Sequence, residues 1–252
     1  GRCKHYSEMG VKGWKVDFLD RDDQEMVRFV YDLAEIAAKY KLLVDYHGVY
    51  KPTGLQRTYP NAINFEGVHG LETMKWLGRE HDQLTYDVTI PFIRNAAGPV
   101  DYTPGAMRNA SRANFEPNYS RPMSQGTRCH QLAMYVLYNQ PLAMLCDSPT
   151  AYEAEPEFTK LLADIPTDGA WFGQGTIGEY VEGCASTEDA MYIAGLNGNK
   201  ARRVQTVQVA PTYFVESIEM YVDGDTPSEY KHIVMPVEEY YRNKGIFTID
   251  VA

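Results

Sequence analysis

Val11-Lys12-Gly13-Trp14-Lys15-Val16-Asp17-Phe18-Leu19, then Gln24 to Tyr40, then Leu42-Leu43-Val44-Asp45-Tyr46-His47-Gly48, form the stretch whose reading decides the fold. In the middle piece Met26, Val27, Phe29, Val30, Leu33, Ile36 and Ala37 recur at the helical period. Asp22, with Glu25 three residues later, makes a capping-box-like start for that helix. The flanking pieces are short and apolar, the pattern of buried strands. Together they read as one β-α-β unit, for which a right-handed crossover is the default.

The same pattern continues outward. Val11 to Leu19 carries Asp17 near its end, and Leu42 to Tyr46 runs into His47. Ala62 to Phe65 runs into Glu66, Gly98 to Val100 into Asp101, and Leu142 to Cys146 into Asp147. Strands that place polar groups where the backbone turns away describe the mouth of a β/α barrel or open α/β sheet, where such folds hold active sites. Further helices are expected over Gln125 to Tyr138 and Glu155 to Ala163. The Pro- and Gly-bearing stretches 49–61 and 102–122 are loops of the length that forms lids and binding loops.

Near Ile165-Pro166 the pattern changes. Short β-like runs follow at Thr176 to Val181, Ala190 to Leu196, Val204 to Val209, Phe214 to Val222 and Ile246 to Val251. Turn signals such as Asn197-Gly198-Asn199 and Asp223-Gly224-Asp225 separate them, and no helical period is visible between them. The expected organisation is a partial (β/α)8 barrel over residues 1–164 and a small all-β sandwich domain over 165–252, with the boundary at Asp164 to Gly169.

Composition narrows the function classes. At 252 residues, 44% hydrophobic and 23% charged, the chain suits one large or two modest globular domains. A net charge of −10 disfavours a nucleic-acid partner, whose phosphates need a basic face. No apolar stretch is long enough to span a bilayer. Cys3, Cys129, Cys146 and Cys184 form no CxxC pair, which argues against thiolate zinc and redox motifs.

Asp20, Asp22 and Asp23 are explained as acids at a helix start. Asp17 is not, because an acid inside an apolar strand end is costly without a partner or a task. Lys15, two residues earlier on the same face, could be that partner. Glu66 and Glu72 bracket the glycine-pinned turn Gly67-Val68-His69-Gly70-Leu71, and two such carboxylates suit a hard cation or general acid catalysis, or simply a solvated turn. His47 is a structural residue or a substrate contact. Arg57 and Asp101 can hold sugar hydroxyls or make surface salt bridges.

These residues, in this order, resemble glycoside hydrolase family 97. The resemblance is carried by Lys15-Val16-Asp17-Phe18 with Asp20-Arg21-Asp22-Asp23-Gln24, by His47-Gly48, and by Lys51-Pro52-Thr53-Gly54 with Arg57-Thr58-Tyr59-Pro60-Asn61. Glu66-Gly67-Val68 with Gly70 and Glu72, and Asp101-Tyr102-Thr103-Pro104-Gly105, continue it. Ile177-Gly178-Glu179-Tyr180 is similar to the family's C-terminal β domain. The resemblance implies an α-glycosidase with a calcium-assisted site, in a periplasmic or secreted location, acting on an oligosaccharide or galactoside. It implies the retaining branch, mainly α-galactosidases, because Asp17 is present and the inverting branch's glutamate is absent from Asp45-Tyr46-His47-Gly48. Asp17 is then the nucleophile and Glu72 the general acid/base. Glu66 and Glu72 reach the calcium ion, and Lys15, His47, Arg57 and Asp101 line the substrate site. Family members carry an N-terminal β-sandwich and further strands ahead of the Asp17 strand, so the chain resembles the C-terminal part of such an enzyme.

Three other readings stand beside this one. The chain could belong to another α-glycosidase or a β-L-arabinopyranosidase of the same family. A metal-dependent barrel lyase or aldolase would use Lys15 as a Schiff-base amine. A non-catalytic carbohydrate-binding fragment would work through its β domain, which is also the surface expected to carry any homo-oligomer contact.

Overall fold

In the computed structural model the described residues are 1–167, 170–199, 201–209 and 214–251. The β-α-β unit forms as the sequence dictates. Strand β1 (Gly13–Val16) leads through a long helix (Gln24–Lys39) to β2 (Leu43–Tyr46), and β3 (Ala62–Phe65) follows. The three lie parallel in the order β1-β2-β3. Lys15 is level with Asp45 and Val16 with Tyr46, while Asp45 pairs with Asn64 and Tyr46 with Phe65 after a register shift at Val44/Asp45. The strand ends are therefore nearly flush.

The helix begins at Gln24, as its sequence suggests, but its cap differs. Asp23, not Asp22, is the N-cap, and its carboxylate accepts from the backbone N–H of Glu25 (3.0 Å) and Met26 (3.1 Å). Arg21 bridges Asp23 and Glu25, holding the Asp23 carboxyl below its ordinary value first by that hydrogen bond. One face of the helix buries Val30, Ala34 and Ala37 in a core with Leu42, Val44, Tyr46, Ala62 and Phe65. Tyr46 stacks on Phe65 at 5.4 Å and donates its hydroxyl to the Val30 carbonyl (2.8 Å), so the ring is buried with its polar end satisfied.

Beyond β3 the sheet stays open rather than closing into a barrel. Gly98 to Val100 is not a strand, although Asp101 N–H donates to Phe65 O and Val100 N–H to Asn139 O, both at 2.9 Å, where further strands would pair. Leu142 to Cys146 adopts neither helix nor strand. Both runs are short and interrupted by Gly98-Pro99 or flanked by Pro141, and proline removes the ladder donor.

Two compact units interleave along the chain. One comprises Gly1–Glu72, Ile90–Pro104 and Tyr138–Leu145, and the other Thr73–Thr89, Gly105–Leu137 and Cys146–Ala252. The second holds the buried helix Arg128–Leu137, a helix over Pro156–Asp164, and antiparallel sheets. Ala170–Thr176, Tyr180–Ser186 and Met191–Asn197 form a meander, Ile218–Asp223 pairs with Tyr230–Met235, and Arg203–Gln208 pairs with Ile246–Val251. Thr176 to Val181, expected as a strand, is instead a hairpin turn, with Thr176 ending one flanking strand and Tyr180 and Val181 starting the other. Gly178 at φ +78 explains the turn. The strand expected from Phe214 begins at Ile218, and a helix at Val237–Arg242 interrupts the β pattern. The boundary expected at Asp164 to Gly169 falls partly on residues 168 and 169, outside the described residues.

Leu42 and Leu43 test this packing, being 1% and 44% exposed. Leu42→Ala should lower the unfolding free energy by about 2–5 kcal/mol, while Leu43→Ala should stay within about 0.5. Urea denaturation measures both, and equal losses would contradict the assigned faces.

Candidate active site

The exits of the parallel strands carry the candidate residues. After β1, Asp17 is exposed and its Oδ1 accepts from the Phe18 N–H at 2.6 Å. The next turn is strained. Phe18 has φ 62 and Asp20 φ 30, and Phe18 is 86% exposed. A bulky residue in the left-handed region costs about 1–3 kcal/mol, a strain that concentrates at functional sites. Gly48 after β2 has φ +52, and a Cβ there would stand 2.8 Å from Asp20 Oδ1 and 3.2 Å from the Phe18 nitrogen. Glycine lets these two exits press together without strain.

His47 closes the β1–β2 ladder, its N–H donating to Val16 O at 2.8 Å. Its buried ring lies among three acids. Nε2 is 2.6 Å from Asp101 Oδ2 and 3.8 Å from Asp45 Oδ2, and Nδ1 is 3.5 Å from Glu66 Oε1. Glu66 Oε2 accepts the Gly48 N–H at 2.7 Å, and Thr103 Oγ1 donates to Asp101 Oδ1 at 3.0 Å. Burial alone would make the imidazole shed its proton. The hydrogen bonds to Asp101 and Glu66 outweigh burial and push it up to about 10, so His47 is an imidazolium at neutral pH.

The acids around it divide in the opposite sense. Burial, and then Asp101 beside it, raise the Asp45 carboxyl. Burial opposes ionisation of Asp101 too, but His47, Asp45 and Thr103 together hold it below its ordinary value. No N–H or O–H among the described residues reaches either Asp45 oxygen, so Asp45 is the carboxyl that keeps its proton. Glu66 also resists burial and stays lowered through His47 and the Gly48 N–H. Lys15, exposed on β1, adds positive potential at Glu66 and Asp45.

His47, Glu66 and Asp101 are thus brought together, with Lys15 beside them. Arg57 is exposed on the short helix Leu55–Thr58, in the loop after β2. Glu72 is exposed on the 3-10 turn Leu71–Lys75, which is docked by the Leu71 N–H to Tyr102 O at 3.0 Å. Gly70 allows that approach, since a Cβ there would lie 2.8 Å from Tyr102 O. Asp45 was not singled out by sequence, although the argument that flagged Asp17, a costly acid in an apolar strand, applies equally to it. Asp45, His47 and Asp101 each offer a ligand atom within 4.8 Å of the others, a buried group that can hold a metal ion.

Parallel strands whose C-terminal ends gather acids around a buried imidazolium have the layout of the strand-exit face of a β/α fold. Residues 1–68 match the glycoside hydrolase 97 family. The chain is 57% identical over 205 residues to a retaining alpha-galactosidase of Bacteroides thetaiotaomicron, covering 81% of this chain and 31% of that protein. It is 33% identical over 162 residues to a probable retaining alpha-galactosidase of Streptomyces bingchenggensis, covering 64% of this chain and 23% of that one. Among solved structures it is similar to a glycoside hydrolase family 97 enzyme of Pseudoalteromonas sp. strain K8 in complex with acarbose. That likeness has a TM-score of 0.75 and 27% identity, and covers 92% of this chain and 36% of the enzyme. A beta-arabinopyranosidase matches with TM-score 0.83 over 99% of this chain and 39% of that one, and at 24% identity shares the fold. The chain belongs to glycoside hydrolase family 97, and it spans about a third of the length of the retaining alpha-galactosidase it matches at 57% identity.

The charged state of His47 gives a pH prediction. Its proton is bound more tightly when folded, so its stabilisation is complete below the unfolded value of 6.5 and is lost as pH rises through about 10. Unfolding free energy, measured by denaturant titration across that window, should fall with pH, and His47→Gln should flatten the fall. A slope that the substitution leaves unchanged would mean that the ring is neutral.

Proposed function

We propose that this chain contributes the catalytic mouth of a retaining exo-acting α-galactosidase. The observation that carries the reading is an acid at the exit of β1 in a chain 57% identical to a retaining alpha-galactosidase. In a double displacement, the Asp17 carboxylate attacks the anomeric carbon while Glu72 gives its proton to the leaving oxygen. Glu72 then takes a proton from the water that releases the sugar. Lys15, Arg57, His47 and Asp101 are the groups proposed to receive the galactoside hydroxyls. The buried His47 would hold the Asp101 carboxylate in a fixed orientation, which needs no reorganisation when substrate arrives.

The family implies calcium, and donor chemistry decides where it fits. The buried trio contains an imidazolium nitrogen already bonded to Asp101 at 2.6 Å, which would ligate an ion only after losing that proton and would then suit a softer one. Glu66 and Glu72 offer carboxylate oxygens alone, which suit calcium. They are the residues proposed to hold it. When bound there, the ion would supply positive charge on the leaving-group side of the site.

Two measurements test the reading. Asp17→Ala should abolish turnover of aryl α-galactosides, and azide should restore part of it with β-galactosyl azide as product, since azide enters from the face Asp17 vacates. Near-normal rates without azide would remove Asp17 from the mechanism. Proton NMR of the first product from the unaltered protein should show α-galactose, mutarotating later. Initial β-anomer would place the chemistry on the inverting route.

A further inference from the structure

Arg94 is 5% exposed, follows the short helix Ile90–Ile93, and spends its guanidinium on main-chain oxygen. Nη2 donates to Phe65 O (2.8 Å), Glu66 O (3.1 Å) and Pro99 O (2.8 Å), Nη1 to Gly98 O (3.1 Å), and Nε to Gly67 O (3.1 Å). Those five carbonyls belong to two segments. Phe65, Glu66 and Gly67 are the exit of β3, which carries Glu66. Gly98 and Pro99 lead directly into Asp101. The segments are also joined by Asp101 N–H to Phe65 O, so one carbonyl serves both the arginine and the backbone ladder.

A buried guanidinium is costly unless its donors are used, and carbonyls beyond a strand's last pairing have lost their ladder partners. Here each need meets the other. Both segments are bent so that their carbonyls converge: Gly67 has φ +46 and Gly98 φ +136. A Cβ on Gly67 would meet Lys51 N at 2.8 Å, so the turn packs directly against the Tyr50–Lys51 backbone. The acids carried by these two segments face opposite nitrogens of one ring, Asp101 at Nε2 and Glu66 at Nδ1.

We propose that Arg94 is a positioning residue of the active site, a planar staple that fixes the Glu66 exit against the Asp101 segment so that both acids grip His47. This rests on the proposed function only in treating Glu66 and Asp101 as site residues. Lysine cannot replace it, because a single ammonium lacks the fork that spans both segments.

The test is Arg94→Lys in the full protein, with hydrogen exchange followed by mass spectrometry beside steady-state kinetics on an aryl α-galactoside. Peptides covering 65–70 and 99–103 should lose protection together while the helix at 30–37 keeps its own. The kcat should fall at least about tenfold while KM changes less than about threefold, the pattern of misplaced groups rather than lost binding. Wild-type exchange in either segment would overturn the proposal. So would raised exchange in both with kcat unchanged within about twofold, because the staple would then position nothing that reacts. Should the lysine variant fail to fold, Arg94→Gln is read by the same criteria. If the unaltered protein turns over no galactoside, the proposed function fails, and the exchange arm alone decides whether Arg94 holds both segments.

Discussion

The flush parallel register of β1, β2 and β3 is the constraint on which the rest depends. Side chains leave a strand alternately to either face, so strands that pair parallel and end level deliver their last polar residues to one layer. Asp17, His47 and Glu66 each follow such an end. A slip of one residue in β2 would reverse its faces, sending Tyr46 out of the core and His47 away from Asp101 and Glu66. Apolar packing enforces the register, because Tyr46 and Phe65 are buried together beneath the helix. The chemistry above is thus set by the hydrophobic core below.

Electrostatics then does what packing cannot. Three carboxyls around one ring would repel each other if all were ionised in a buried place, and the cluster avoids this by keeping His47 charged and Asp45 protonated. That leaves Asp101 and Glu66 ionised on opposite sides of the ring. The imidazolium, held by an acid at each nitrogen, has little freedom to turn.

The β-α-β unit was legible because its signals are local: a clear helical period, apolar strands and a cluster of acids at the helix start. β3 was read at its true bounds for the same reason. Gly98 to Val100 misled because its one bond of this kind, Val100 N–H to Asn139 O, and that of the adjoining Asp101 to Phe65 O never repeat as a ladder. The hairpin at 176–181 misled because Ile177, Tyr180 and Val181 look like a strand until Gly178 adopts its left-handed turn. In the site, residues at strand ends could be read, whereas Asp45 and Arg94 could not. Asp45 lies hidden in an apolar run, and Arg94 gains its meaning from carbonyls up to 29 residues away in sequence. Nothing in a one-dimensional pattern marks where a backbone oxygen will need a donor.

The interleaving of the two units has a consequence for how the chain is made. Val100 N–H waits for Asn139 O, and Asn64 Nδ2 for Leu142 O at 2.7 Å. During synthesis the parallel sheet therefore stands with an unfinished edge while residues 105–137, which belong to the other unit, emerge from the ribosome. Only when the segment around 138–145 arrives can that edge be covered. No single cut separates the units either, and a crossover between relatives anywhere within residues 73–145 would split both at once.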